Sequence, residues 1–304
     1  MKPVEVEHYP FRLNEIASVI DQAIIDQMRK FAGNPIFSGD RNETLWYLLS
    51  HYRNASEMFS LENEMRENGF KNANLYYHGN DHFCQTTFDG LTIPQALLSR
   101  EDRFSSHMTP EGIFSIPFSC IYHDTGFVYQ TDGSEENFAA RNPIHVERSK
   151  DAAVDAIKKI GLPASLNAEK VANLTVIGIH RTYFPYDEKR QEEEKKLIEE
   201  LLPEWRKEGH IVGRAVQFAD LGGQTARVDQ NPEGLLRLRA EMNACIPDMG
   251  TIAIGKDDYE IEEKRKQFLE FVIGKTVGRT GNAFFGTREH SYAREWNKTP
   301  TSSR

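Results

Sequence analysis

The sequence predicts an all-α protein, and three observations carry that prediction. Apolar residues recur at three- and four-residue spacing over most of the chain. The periodic stretches are bounded by helix punctuation: Thr109-Pro110-Glu111 and Asn167 at starts, Gly33 with Pro35 and Gly161 with Pro163 at stops. Strand-like alternation occurs only in short pieces, and there is no internal repeat.

Residues 12–32 form the first predicted helix, with Ile16, Ile20, Ala23, Ile24, Met28 and Phe31 at helical spacing and Asn14 as its cap. The second, about 43–67, carries Leu45, Leu48, Leu49, Tyr52, Met58 and Leu61 and stops at Gly69. His78 and His82 are four apart, so a helix starting near His78 and running to Leu98 puts both on one face of its first turn. The apolar run after Thr109-Pro110-Glu111 predicts a buried helix that ends on His123 and Asp124. Gly126 lets the backbone leave it, and Pro117 either kinks this helix or marks its true start.

Residues 130–142 are polar and read as an exposed loop. Pro143 opens a helix over 143–160, with Ile144, Ala152, Ala153, Ala156, Ile157 and Ile160 inward and His145, Glu147, Arg148 and Ser149 in its first two turns. A helix over 168–183 carries His180 and Arg181. The run 187–208 reads as a solvated charged helix with a narrow stripe of Leu197, Ile198, Leu201 and Leu202, and its charges suggest no chemistry. Residues 209–221 are apolar and bring Asp220 into the core just before Gly222-Gly223. Weaker helices are expected at 232–244 and 258–274, followed by an irregular tail over 276–304.

Composition sets the outer bounds. A chain of 304 residues with 39% hydrophobic and 27% charged residues is an ordinary globular protein able to bury a sizeable core. A net charge of -9 argues against nucleic acid as a partner, since phosphate backbones need a basic surface. A small phosphorylated ligand is compatible with it, because a bound metal inverts the local field. The N-terminus carries acids and lacks an apolar core, and no stretch approaches a membrane span, so a cytoplasmic protein with no membrane partner is expected. Cys84, Cys120 and Cys245 are scattered, with no CxxC, and read as reduced, partly buried thiols.

The chemistry-bearing residues lie in one order: His78, His82, His123, Asp124, Glu147 and Asp220, with His145 and His180 nearby in sequence. Imidazole suits Zn, Fe and Mn, and carboxylate suits Mg, Mn or Fe and can bridge two ions. Taken singly, each histidine has an ordinary alternative as a hydrogen-bonded structural residue.

Together these residues resemble the HD-domain metal-dependent phosphohydrolases, and within them the cyclic-nucleotide phosphodiesterase-like branch. The resemblance rests on Tyr77-His78-Gly79-Asn80-Asp81-His82, on the apolar run ending Cys120-Ile121-Tyr122-His123-Asp124, on Glu147-Arg148-Ser149 and on Ala219-Asp220-Leu221. It covers roughly 70–225, which implies a metal core there, a helical scaffold over 1–69 and further helices and a tail over 226–304, all in a single all-α domain with a buried metal site. Gly79 stands where the family usually has Asn, and Phe127 and Val128 occupy the region where phosphodiesterases often carry a further His. The family's base-clamping segment has only a faint counterpart in Gln267, Phe268 and Phe271.

The resemblance implies that His82, His123, Asp124 and Asp220 hold one divalent ion (Zn, Mn, Mg or Fe), with Asp124 bridging to a second, mostly hydrated one. His78 would be the general acid, and Glu147 would hold a water or support the bridging oxygen. Arg148 and Arg181 are candidates for substrate phosphate, with pairing to a nearby acid as the alternative. His145 and His180 are open between a fuller metal site and the lining of a substrate pocket. Tyr77, Phe127, Tyr183 and Phe218 could wall a base or simply pack in the core. The implied activity is hydrolysis of a nucleotide phosphodiester, cyclic foremost, by metal-activated water. The alternatives are a nucleotide phosphomonoesterase, a di-iron HD-type oxygenase, and a binding module that keeps its metal without turnover.

Overall fold

The computed structural model describes residues 17–37, 39, 41–67, 78, 80–98, 107–127, 144–183 and 187–226, and isolated residues between 238 and 267. Among them every regular element is helical, so the chain is all-α. The elements are α1 (Ala17–Ala32), α2 (Arg41–Glu67), α3 (Asn80–Leu98), α4 (Pro110–Tyr122), a 3-10 turn (Thr125–Phe127), α5 (His145–Ile160), α6 (Ala168–His180), α7 (Glu188–Glu200), a second 3-10 turn (Pro203–Trp205) and α8 (Arg206–Ala226). No helix among the described residues is long and apolar enough to cross a membrane.

α4 is the axis of the bundle. Every residue from Gly112 to Tyr122 is buried, which is what its nearly unbroken apolar run requires. Thr109 caps it by accepting from Gly112 N, Pro110 occupies the first turn, and Pro117 lies inside a continuous helix. Its two serines satisfy themselves locally: Ser115 Oγ donates to Glu111 O at 2.7 Å, and Ser119 Oγ to Ser115 O at 2.6 Å. α3, α6 and α8 pack around α4, α5 packs against α6 and the first 3-10 turn, and α1 and α2 cover α3 and α4. One hydrophobic core runs from Ile24 in α1 to Ala219 in α8. Each fully buried Phe or Ile in it contributes roughly 1.5–3 kcal/mol.

The charged run 187–208 is not a single solvated helix. α7 ends at Glu200, Pro203 opens a short turn, and α8 starts at Arg206 and continues through Gly222-Gly223 to Ala226. Two of its acids are buried because each has a cation to meet. Glu194 pairs with Arg181 of α6. Glu208 accepts from the backbone N–H and hydroxyl of Thr109 at 2.6 and 2.8 Å and pairs with Lys170 Nζ at 2.7 Å. This buried cluster ties the starts of α4, α6 and α8 together, and a buried charge keeps its place only when paired in this way. Two other boundaries also move. α6 ends at His180 rather than at 183, and His78 lies in a turn ahead of α3 rather than in its first turn. The expected caps and stops at Asn14 and Gly69, the loop over 130–142 and the tail lie outside the described residues, as do most of the two weaker C-terminal helices.

His51 of α2 joins the helix layers beneath α4. Its Nε2 donates to the Gly161 carbonyl at 2.9 Å, which leaves Nδ1 to accept from the Tyr122 hydroxyl at 3.0 Å. Burial lowers its pKa from the ordinary 6.5 to about 4, against the opposing effect of the Gly161 bond. The unfolded chain therefore takes up this proton at a higher pH than the folded one. Its contribution to stability is complete above 6.5 and is lost as pH falls towards 4, by up to about 3 kcal/mol. Denaturant unfolding of the wild type and of His51→Gln across pH 4–7 is expected to show the extra acid loss only in the wild type. Parallel curves would contradict this assignment.

Candidate metal centre

The site forms where α3 and α8 each bring one residue to the C-terminal end of α4, where two more follow. α3 supplies His82, the end of α4 supplies His123 and the adjoining Asp124, and α8 supplies Asp220. α3 can come this close because Gly90, two turns beyond His82, lies against Cys120 of α4. A Cβ on Gly90 would sit 2.6 Å from the Cys120 sulfur. The turn after the ligands is fixed in the same way. A Cβ on Gly126 would lie 1.8 Å from the His145 carbonyl oxygen, and Gly126 N donates to Ser149 Oγ at 2.8 Å. Gly126 is thus required by close approach to the start of α5, beyond simply releasing the chain from α4.

Four donor atoms converge. His82 Nε2 lies 3.2 Å from His123 Nε2, 3.3 Å from Asp124 Oδ2 and 3.1 Å from Asp220 Oδ1. His123 Nε2 lies 3.2 Å from Asp124 Oδ2 and 3.6 Å from Asp220 Oδ1. All four residues are buried. Donors held about 2.1 Å from one ion in tetrahedral array are about 3.4 Å apart, and the mutual spacings of His82, His123 and Asp124 match that value. His82, His123 and Asp124 form a buried group that could hold a metal ion, and Asp220 closes on it.

The protonation pattern fits the same role. The Cys120 carbonyl accepts at 2.9 Å from His123 Nδ1, so Nδ1 carries a proton and Nε2 is the nitrogen that faces the other donors. Asp124 Oδ2 is buried, and its close contacts are the two imidazole nitrogens of His82 and His123, so its charge depends on positive charge at the site. Burial works to raise the pKa of both carboxylates, and His123 reverses this, holding Asp124 and Asp220 below the usual carboxylate range. Burial likewise opposes a charge on His123, but Asp124 and Asp220 overcome it and raise its pKa. Two carboxylates in so small a space draw in positive charge, which a divalent ion supplies directly.

The remaining candidates fall into two groups. His78 and His145 adjoin the site through Phe127. The His78 ring is 4.7 Å from Phe127 and 5.8 Å edge-on from His82, and His145 stacks on Phe127 at 4.1 Å and 12°. Arg148 is half-buried, one turn into α5. Glu147, His180 and Arg181 are not brought to the donor cluster. Glu147 is exposed, accepting from Lys150 Nζ at 2.6 Å and from the Tyr183 hydroxyl at 2.9 Å. His180 Nε2 donates to the Arg190 carbonyl at 3.1 Å, and Arg181 binds Glu194 and Gln217. The start of α7 thus engages His180, while α7 and α8 together hold Arg181.

Of the aromatic candidates, Phe127 meets the site and Tyr183 bonds Glu147, while Tyr77 lies outside the described residues. The Cys120 carbonyl has no side-chain signature, although a histidine at a helix end reaching back three residues is a local pattern that could have revealed it. Cys84 and Cys120 are buried thiols that are not joined in a disulfide. No protein-family model, curated protein or solved structure matches this chain.

Zn²⁺ or Mn²⁺ at one hundred times its dissociation constant is expected to raise the unfolding free energy by about 2.7 kcal/mol, seen as a higher Tm. Asp220→Ala is expected to lose both bound metal and Tm shift, whereas Glu147→Ala keeps both. Full metal content in Asp220→Ala would sink the ligand assignment.

Proposed function

We propose that the chain is an HD-type metal-dependent phosphohydrolase, acting as a phosphodiesterase on a nucleotide, with a cyclic nucleotide as the leading substrate. The observation that carries this reading is the convergence of His82, His123, Asp124 and Asp220 within 3.1–3.6 Å contacts at the end of one buried helix. These are the four residues that the sequence resemblance names as ligands. Their two imidazole nitrogens and two carboxylate oxygens suit Zn, Fe or Mn. A bound divalent ion supplies Lewis acidity and lowers the pKa of a coordinated water.

The chain's own residues do the rest. His123 is held by the Cys120 carbonyl with its Nε2 inward, and the buried carboxylates bind and neutralise positive charge. His78 is half-buried beside His82 and outside the donor set, the position of a group that delivers a proton to a leaving alkoxide. His78 favours the charged form of Asp124. His145 and Arg148, at the start of α5, are the remaining candidates for meeting substrate.

Metal quantification and a panel of cyclic nucleotides, linear diesters and nucleoside monophosphates test this reading. Turnover of a diester with stoichiometric divalent metal is the expected result. Phosphate release from monophosphates alone would make the chain a nucleotidase. Two irons with a mixed-valence EPR signal and no hydrolysis would favour oxygen chemistry, and metal without any turnover would favour a binding module. His78→Ala is expected to keep its metal and lose about 10²–10⁴-fold in turnover, and to lose much less on a p-nitrophenyl ester, whose leaving group needs no proton. Equal loss on both would argue against proton donation by His78.

A further inference from the structure

We infer that Phe127 is a positioning residue for His78: its ring, backed by His145, is the surface that holds the His78 imidazole beside the donor cluster. The inference deepens the phosphohydrolase reading, on which the role of His78 as proton donor rests. The placement itself can be tested without turnover.

His78 lies ahead of α3, outside the regular helix, and is half-buried. A general acid in such a place needs something rigid to set its ring. Phe127 is almost fully buried, and its backbone is held at several points. Phe127 N donates to Asp124 O at 3.0 Å, Thr125 Oγ1 to Tyr122 O at 2.7 Å and Gly126 N to Ser149 Oγ at 2.8 Å. Its ring is held as well, stacked on His145 at 4.1 Å and 12°. The His78 ring rests near the same phenyl group at 4.7 Å and 35°. Three rings therefore link the first turn of α5 to the segment before α3, passing through the residue three positions after Asp124. The turn that carries Phe127 directly follows His123 and Asp124, so these two residues and the surface for His78 belong to one stretch of backbone.

Phe127→Leu keeps apolar bulk but offers no planar face, and Phe127→Tyr keeps the face. In the full chain, the His78 ring resonance, assigned by its absence in His78→Gln, is expected to show the ring-current shift of a neighbouring phenyl group. That shift is expected to vanish in Phe127→Leu and to persist in Phe127→Tyr, with metal content unchanged in both. Turnover of the diester is expected to fall about tenfold in Phe127→Leu, with little loss on the p-nitrophenyl ester, full rescue by Phe127→Tyr and no added loss when combined with His78→Ala. An unmoved His78 resonance, equal loss on both esters, or additive loss in the double variant would overturn the inference. If Phe127→Leu does not fold, a nuclear Overhauser contact between the His78 and Phe127 rings in the wild type supports the placement, and its absence refutes it. A wild type that hydrolyses no ester would defeat the phosphohydrolase reading, while the His78 resonance would still decide the positioning.

Discussion

Two carboxylates, Asp124 and Asp220, share a buried space with the Nε2 atoms of His82 and His123, and the bundle is arranged around that concentration of charge. Carboxylates are costly to bury unless positive charge comes with them. In the isolated chain a proton on His123 meets part of that need, which is why its pKa rises despite burial. A divalent ion meets it more fully and suits the donor spacing. The same physics explains why the four donors come from α3, α8 and the residues that follow α4. No single helix can present four groups to one point, so the chain must cross the end of α4 three times.

That crossing depends on small residues as much as on polar ones. α4 has no solvent-facing side and must accept neighbours on all sides, and its approach to α3 is set by Gly90 against Cys120. The turn that follows the ligands is locked onto α5 through Gly126, where any side chain would strike the His145 carbonyl. At the opposite end, the buried Glu208–Lys170 pair fastens α4 to α6 and α8 through Thr109. The ligands are held at one end of a helix whose other end is pinned by a separate charge pair. A change at either end would alter the angle at which Asp220 meets the cluster.

Much of this was legible in the sequence because it is local. Thr109 and Asn167 cap the helices they were expected to cap, and the His123-Asp124 pair stands at the end of a wholly buried helix. His82 and Asp220, far apart in the chain, are candidates by residue type and are joined as ligands only through the resemblance; in the structure their side chains do meet. The errors are tertiary. Glu194 and Glu208 looked solvated because their partners, Arg181 and Lys170, lie on another helix. The sequence leaves His180 open between metal site and pocket lining, and Arg181 between substrate phosphate and pairing with an acid; in the structure His180 bonds the Arg190 carbonyl of α7 and Arg181 pairs with Glu194. Glu147 sits at a helix start, as expected, but its side chain turns outward to Lys150 and Tyr183. No periodicity or cap signal encodes which way a first-turn side chain faces.

The central claim is that two imidazoles and two carboxylates converge on one ion, and X-ray absorption on the zinc-loaded chain tests it most directly. The account predicts a shell of four nitrogen or oxygen donors at about 2.0–2.1 Å with the outer scattering of two imidazoles. That outer scattering should fall to one imidazole in His82→Ala. A shell lacking imidazole scattering, or one unchanged in His82→Ala, would contradict it.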